Sequence, residues 1–311
     1  MTGLSIGFYE PPPTDRELTA EIVRAVVREQ FPELAVASVE PMGEGWEFET
    51  FLVDDRVVFR FPRRADGGDG FEWQERLHVL VASVISDIVR IPRITRWGKP
   101  CGRFPYRFTG HDLVPGVGAN DPSVSMNPEL ADDIGRVLSR LHAIPADVAA
   151  VAGVGTADPN DVDLGAALLR LRRWVSEVPE IRDHAHDPCM WLDRVPHAPD
   201  AYRGMPRLIH GDFQMEHVLV SPTTGRLSGI IDWGPVLCEP APDFNYVLLH
   251  GGWSFFQRAV AAYDLPLDAE FAKRTLFSAR LGALAGLADA VKRGRSPSRE
   301  LAIVQRVFEL E

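Results

Sequence analysis

L-I-H-G-D-F-Q-M-E-H-V-L-V-S-P-T-T-G-R-L-S-G-I-I-D-W spans residues 208–233. It holds two short β-forming runs, Val218 to Val220 and Leu227 to Ile231, with Thr224-Gly225 between them as a turn whose glycine permits positive φ. A two-residue turn there pairs 223 with 226, 219 with 230 and 217 with 232. His217 and Asp232 then face each other at one end of the hairpin, and Asp212 lies five residues before His217 on the entering loop. One imidazole and two carboxylates converge. Phosphoryl transfer asks for such a set: a carboxylate near an acceptor hydroxyl, and side chains that hold Mg²⁺ against nucleotide phosphates. Two other readings compete. One is a hairpin with polar residues at its mouth; the other is a hydrolytic zinc site of His210, Asp212 and His217, which lacks a helix-borne His pair or a Cys partner.

Around this segment the chain reads as helical. Pro128 to Ile144 predicts an amphipathic helix with Leu130, Ile134, Val137, Leu138 and Leu141 on one face, and Leu164 to Val175 predicts another. The Pro- and His-rich stretch 178–206 reads as loop or short helices, and R-D-H-A-H-D (Arg182 to Asp187) as a solvated loop without a third spaced ligand. Helices resume near Phe244. Gly110 to Asn127, rich in Gly, Pro, Asn and Ser, reads as a linker.

Before the linker the period changes. Thr14 and Glu17 have capping-box spacing, so a helix should start near Asp15 and carry Ile22, Val23, Val26 and Val27 on one stripe, after an extended Pro11–Pro13. Residues 46–52 and 56–61 read as strands with Asp54-Asp55 as their turn. A Gly-rich loop, Ala65 to Gly70, leads into a helix over Phe71 to Ser83, and strand-like pieces follow at Arg90–Thr95 and Tyr106–Thr109. The organisation is α+β: an antiparallel-sheet lobe over 1–109 and a larger, mainly helical lobe over 110–311.

A chain of 311 residues is comfortable for two lobes, and 45% hydrophobic with 25% charged residues is ordinary globular composition. No apolar run approaches the roughly 20 residues of a membrane span. The N-terminus lacks a basic flank with an apolar stretch, and three scattered cysteines (Cys101, Cys189, Cys238) form neither a disulfide framework nor a zinc spacing. A cytoplasmic monomer is expected. The net charge of −11 argues against a nucleic-acid partner; it suits a cationic small substrate, and it equally serves solubility. Only Lys99, Lys273 and Lys292 are lysines, so any cation needed earlier in the chain must be arginine.

The catalytic string resembles that of the aminoglycoside and macrolide phosphotransferases, which have a protein-kinase-like bilobal fold. The shared pattern is H-G-D, four residues, Asn or His, then I-D-W; His217 stands where most members have Asn, as in the macrolide and 2″-aminoglycoside enzymes. The resemblance implies that Asp212 and His210 are the catalytic residues, Asp212 as base, that His217 and Asp232 hold Mg²⁺, and that Asp243 of P-A-P-D-F (Pro240 to Phe244) braces the loop through His210. L-H-A-I-P, Leu141 to Pro145, is similar to a family helix end and reads as core. M-G-E-G-W-E-F-E-T-F (Met42 to Phe51) falls at the nucleotide-positioning loop, where Gly43 and Gly45 would let backbone approach phosphates; a plain hairpin turn is the alternative. V-V-F-R-F-P-R-R (Val57 to Arg64) resembles the strand bearing the kinase lysine, with Arg60 in its place. Arginine keeps its charge and can fork two phosphate oxygens. Glu75, or else Glu72 one turn before it, should pair with Arg60. The base of ATP or GTP would sit near Tyr106–Thr109, at Arg107 and Phe108, read by backbone groups. Glu216 and Glu239 are candidates for an acceptor's ammonium groups, and Trp253 for an apolar acceptor wall. The function implied is transfer of a nucleotide γ-phosphate to a hydroxyl of an antibiotic. A metabolic kinase for a sugar or amino alcohol, or a nucleotide-binding pseudoenzyme, are the alternatives.

Overall fold

The computed structural model describes residues 14–156 apart from 46 and 69, residues 169 and 171–173, and residues 202–310. The expected extended Pro11–Pro13, most of the expected helix Leu164–Val175, the stretch 178–201 with Arg182–Asp187, and Cys189 lie outside the described residues. The chain forms two compact units, residues 14–86 with 90–115, and residues 87–89 with 116–310. Among the described residues no helix is long and apolar enough to cross a membrane.

The first unit is a five-stranded antiparallel sheet in the order β1-β2-β3-β5-β4, where β1 is Val39–Glu44, β2 Phe48–Val53, β3 Val57–Pro62, β4 Arg96–Gly98 and β5 Phe108–Asp112. Asp54 and Asp55 take φ of 53° and 50°, the mirror-image turn whose twist matches a hairpin. The Asp54 carboxylate then accepts N–H bonds from Val36, Ala37 and Ser38, tying the turn to the chain before β1. Alternation along β3 sends Phe59 and Phe61 to one face, where they meet Phe108, Phe31 and Phe51. Phe61 stacks on Phe108 with centroids 4.5 Å apart. Rings of this size dominate a small core, each burying on the order of 150–250 Å².

Two helices, α1 (Ala20–Gln30) and α2 (Phe71–Ile85), complete the unit. The helix expected from Asp15 begins instead at Ala20, because Thr19 caps it: its hydroxyl accepts from Ile22 N at 3.4 Å. Thr14 turns back on Arg16. The strand expected at Arg90–Thr95 lies later, at Arg96–Gly98, and β5 carries the unit beyond Thr109 to Pro115.

In the second unit α3 (Pro128–His142) starts with proline behind an Asn127 cap, whose Oδ1 accepts from Leu130 N at 2.8 Å. After it come α4 (Ala146–Val151), then β7 (Arg207–Ile209), β8 (Val218–Val220), β9 (Leu227–Ile230) and β10 (Val236–Cys238). A two-residue strand, β6 (Val117–Gly118), precedes α3 and pairs with β8, and β10 pairs with β7. The chain closes with α5 (Ala241–Ala261), α6 (Phe271–Lys292) and α7 (Ser298–Phe308). α3 lies so close on α5 that a Cβ at Gly135 would stand 2.1 Å from the Ala259 carbonyl oxygen.

The β8–β9 hairpin forms as expected but in a different register. Its turn holds four residues, 222–225, closed by Ser221 N–H to Arg226 O at 2.9 Å and Gly225 N–H to Ser221 O at 2.9 Å. A bulge then sets Val220 opposite Leu227 and Leu219 opposite Gly229. His217 consequently meets Ile231, whose N–H reaches its carbonyl at 3.0 Å, and not Asp232. The far end of the hairpin is moored to α3: Asp133 accepts Arg226 Nε and Nη2, each at 2.6 Å, and Asn127 Nδ2 donates to Gly225 O at 3.1 Å.

Candidate functional site

β7 delivers His210 to a loop that turns sharply at Gly211, whose φ is +80°. A Cβ there would lie 1.9 Å from Gly234 O, so glycine is required twice over, by angle and by space. Gly234 N–H donates to His210 O at 3.1 Å, holding the loop against the segment after β9. His210 is fully buried, and its ring is spent on backbone: Nε2 donates to Ile231 O at 3.1 Å, and Nδ1 accepts the Asp212 N–H at 3.2 Å. Burial lowers its pKa to about 4, so the ring is neutral. Both ring nitrogens thus serve backbone groups, and neither is left for a ligand. Asp243 of α5 holds the same loop by its backbone: its Oδ2 accepts His210 N–H at 2.7 Å and its Oδ1 accepts Gly211 N–H at 3.0 Å.

Asp232, His217 and Asp212 do converge, with ligand-capable atoms within 4.8 Å of one another. Because the register passes Asp232 by one residue, the approach is made by backbone conformation. Asp232 takes φ of 60°, the left-handed region an aspartate tolerates better than most residues, and this brings its carboxylate to His217. His217 Nδ1 lies 2.9 Å from the Asp212 carbonyl oxygen. A carbonyl can only accept, so Nδ1 carries a proton, and any lone pair the ring offers is on Nε2. That nitrogen is 3.3 Å from Asp232 Oδ2 and 3.9 Å from Glu216 Oε1. With Nε2 unprotonated, the set offers one imidazole nitrogen and carboxylate oxygens, donors that fit a divalent ion.

Asp212 is partly buried, and Gln214 Nε2 donates to its Oδ1 at 2.7 Å. Burial pushes the Asp212 carboxyl above its ordinary value, against the opposing pull of His217 and Gln214. Glu216 is exposed and reached by Asn120 Nδ2 at 3.4 Å. Glu239, the other candidate for an ammonium group, pairs with Arg274, which also holds Asp268 at 2.6 Å. Trp253 packs beside Phe256, centroids 5.3 Å apart.

In the first unit Arg60 lies on the sheet face opposite the aromatic core. Its guanidinium sits 4.2 Å from the centre of the Phe48 ring and Nη1 donates to Gln74 Oε1 at 3.1 Å. The expected Arg60–Glu75 pair is replaced: Glu75 accepts Arg93 Nη2 at 2.7 Å on one oxygen and Ile94 N–H at 2.8 Å on the other. Glu72 pairs with Arg107. Gly43 lies within β1 opposite Thr50, and Gly45 N–H closes the following turn onto Phe48 O at 2.8 Å. Phe108 is wholly buried and pairs with Gly98 in the β4–β5 ladder. Sequence reasoning passed over Gln214, and over His142, whose Nε2 meets Asp243 Oδ2 at 3.0 Å inside what read as an ordinary core helix.

Comparison with solved structures finds the same fold repeatedly. The GDP and kanamycin complex of APH(2″)-IIIa is 24% identical with a TM-score of 0.64, covering 93% of this chain and 96% of that one. Macrolide 2′-phosphotransferase type I is 21% identical with a TM-score of 0.62, over 94% and 98%. The apoenzyme of macrolide 2′-phosphotransferase MphH from Brachybacterium faecium is 22% identical with a TM-score of 0.56, over 88% and 92%. Likeness at these identities speaks for the fold, a kinase-like one with an antiparallel N-terminal sheet and a helical remainder. Residues 38–280, most of the chain and all of the loop and hairpin just described, match the pattern of a family in their own right: the chain belongs to the phosphotransferase enzyme family, APH.

Proposed function

We propose that the protein transfers the γ-phosphate of ATP or GTP to a hydroxyl of an antibiotic, a macrolide or an aminoglycoside, with Asp212 as general base. The observation that carries this reading is the convergence of Asp212, His217 and Asp232 with a fixed His217 tautomer. The acceptor oxygen forms a bond to the γ-phosphorus while the bond to the β–γ bridging oxygen breaks. Nucleoside diphosphate leaves with that electron pair, and the hydroxyl proton passes to the Asp212 carboxylate. A raised carboxyl pKa suits a base that must hold this proton. Asp232 and Nε2 of His217 are the residues that would hold Mg²⁺, which offsets phosphate charge when bound. Arg60, its guanidinium over the Phe48 ring, is the proposed phosphate contact in the first unit.

The engagement of Glu239 with Arg274 removes one of the two acids expected beside an aminoglycoside's ammonium groups, which favours a macrolide as acceptor. Measuring nucleotide consumption against macrolides, aminoglycosides and simple alcohols tests the reading. Turnover is expected with an antibiotic and should fall by on the order of 10²–10⁴-fold in Asp212→Ala. Full turnover in that variant refutes the mechanism, and turnover confined to simple alcohols identifies a metabolic kinase instead.

A further inference from the structure

α5 runs from Ala241 to Ala261, yet residues at its two ends meet at one side chain. A straight helix would separate positions 243 and 263 by about 30 Å, at roughly 1.5 Å per residue. Asp243 and Tyr263 instead occupy opposite nitrogens of the His142 imidazole, Asp243 Oδ2 at 3.0 Å from Nε2 and the Tyr263 hydroxyl at 2.9 Å from Nδ1. The reversal is made at Gly252, where φ is 75° and ψ is −178°, a conformation essentially reserved for glycine. All three polar side chains are buried, with relative exposures of 2% for His142, 0% for Asp243 and 6% for Tyr263.

The proton positions follow from what each group can do. A carboxylate only accepts, so His142 Nε2–H donates to Asp243; a neutral ring then presents an Nδ1 lone pair, which the Tyr263 hydroxyl fills. The Asp243 carboxylate is held on one side by this ring and on the other by the N–H groups of His210 and Gly211, directly before Asp212. We propose that Tyr263 and His142 are positioning residues for Asp212: the break at Gly252 folds α5 back so that Tyr263 fixes His142, His142 fixes Asp243, and Asp243 sets the loop. The proposal rests on Asp212 being the general base. Without the tyrosine hydroxyl the buried Nδ1 lone pair is left unpaired and the imidazole keeps one anchor of two, so the ring no longer holds a single angle against Asp243 Oδ2 and the carboxylate loses its fixed place. A displacement of about 1 Å at a reacting group costs on the order of 10²-fold in rate.

The test compares Tyr263→Phe, His142→Gln, His142→Leu and Asp212→Ala with the unaltered protein. Steady-state kinetics are run on the best acceptor, nucleotide affinity is measured by displacement of a fluorescent nucleotide, and folding is followed by thermal melting. Tyr263→Phe is expected to lower kcat about 10–100-fold while both KM values and nucleotide affinity stay within about twofold. His142→Leu should lose at least as much. His142→Gln, whose amide can donate to Asp243 and accept from Tyr263, should recover most of it. Unchanged kcat in Tyr263→Phe, with Asp212→Ala inactive, overturns the clamp and leaves the base in place. Full turnover in Asp212→Ala removes the base, and the clamp with it. A kcat that falls only in proportion to the folded fraction reduces the three side chains to a stability role and likewise overturns the proposal.

Discussion

Substituting asparagine for Asp133 tests how the hairpin is moored, away from its reacting end. The carboxylate is 5% exposed and accepts Arg226 twice at 2.6 Å, Arg136 Nη2 at 2.6 Å and Leu227 N–H at 3.4 Å. An amide keeps one acceptor oxygen and points N–H groups at a guanidinium. Breaking one partner of a fully buried pair costs about 3–5 kcal/mol, but Arg226 is 49% exposed and can return to water. The expected loss is therefore about 2–3 kcal/mol, seen in urea unfolding at pH 7 and as a roughly 4–12 °C drop in Tm. The sign with pH is fixed too. Burial pushes the Asp133 carboxyl up, but the hydrogen bonds from Arg226 and Arg136 outweigh it and hold the carboxyl below the usual range. Its contribution is full above the unfolded value near about 4 and fades as pH falls through the lower folded value, so the gap to Asp133→Asn should close on acidification. A difference under about 0.5 kcal/mol at pH 7, or a gap that acid leaves unchanged, refutes the reasoning.

Gly135→Ala puts a methyl against the Ala259 carbonyl at 2.1 Å and should cost about 1–3 kcal/mol in the same urea assay; a neutral effect would mean that α3 and α5 are not this close. Because burial raises the Asp212 carboxyl, the acid limb of the kcat/KM profile should lie above the usual carboxylate range. Gln214→Leu, which removes a hydrogen bond that lowers it, should move the limb higher still. Arg60→Ala should weaken nucleotide use, seen as a raised nucleotide KM, while Arg60→Lys keeps part of it; wild-type nucleotide kinetics in both would take Arg60 out of the site.

The sheet-bearing lobe, the helical remainder and the loop–hairpin site were legible because period and turn chemistry carry them. Asp54-Asp55 between two aromatic, β-branched runs admits little else. Register was not legible to one residue: S-P-T-T-G-R can close as a two-residue or a four-residue turn, and Ser228 carries no mark of the bulge. The error was absorbed by the left-handed Asp232, which returns the carboxylate to the imidazole. Ion pairing failed for a different reason. Helical spacing puts Glu72 and Glu75 on one face but says nothing of Arg93 and Arg107, which reach them through tertiary packing.

His217 has two tasks for two atoms: Nδ1 donates backward to the Asp212 carbonyl, and Nε2, set beside Asp232, is the atom proposed to meet a cation. A carboxamide can divide the same labour, amide nitrogen behind and carbonyl oxygen ahead, which makes the exchange of asparagine for histidine within this family chemically intelligible. The two differ in reach and in hardness. Imidazole extends its lone pair across the ring and presents nitrogen, whereas the amide stops shorter and presents oxygen. For a cation held as proposed, the residue at this one position sets the donor atom the ion meets, and His217→Asn should shift the metal preference of turnover toward the harder ions.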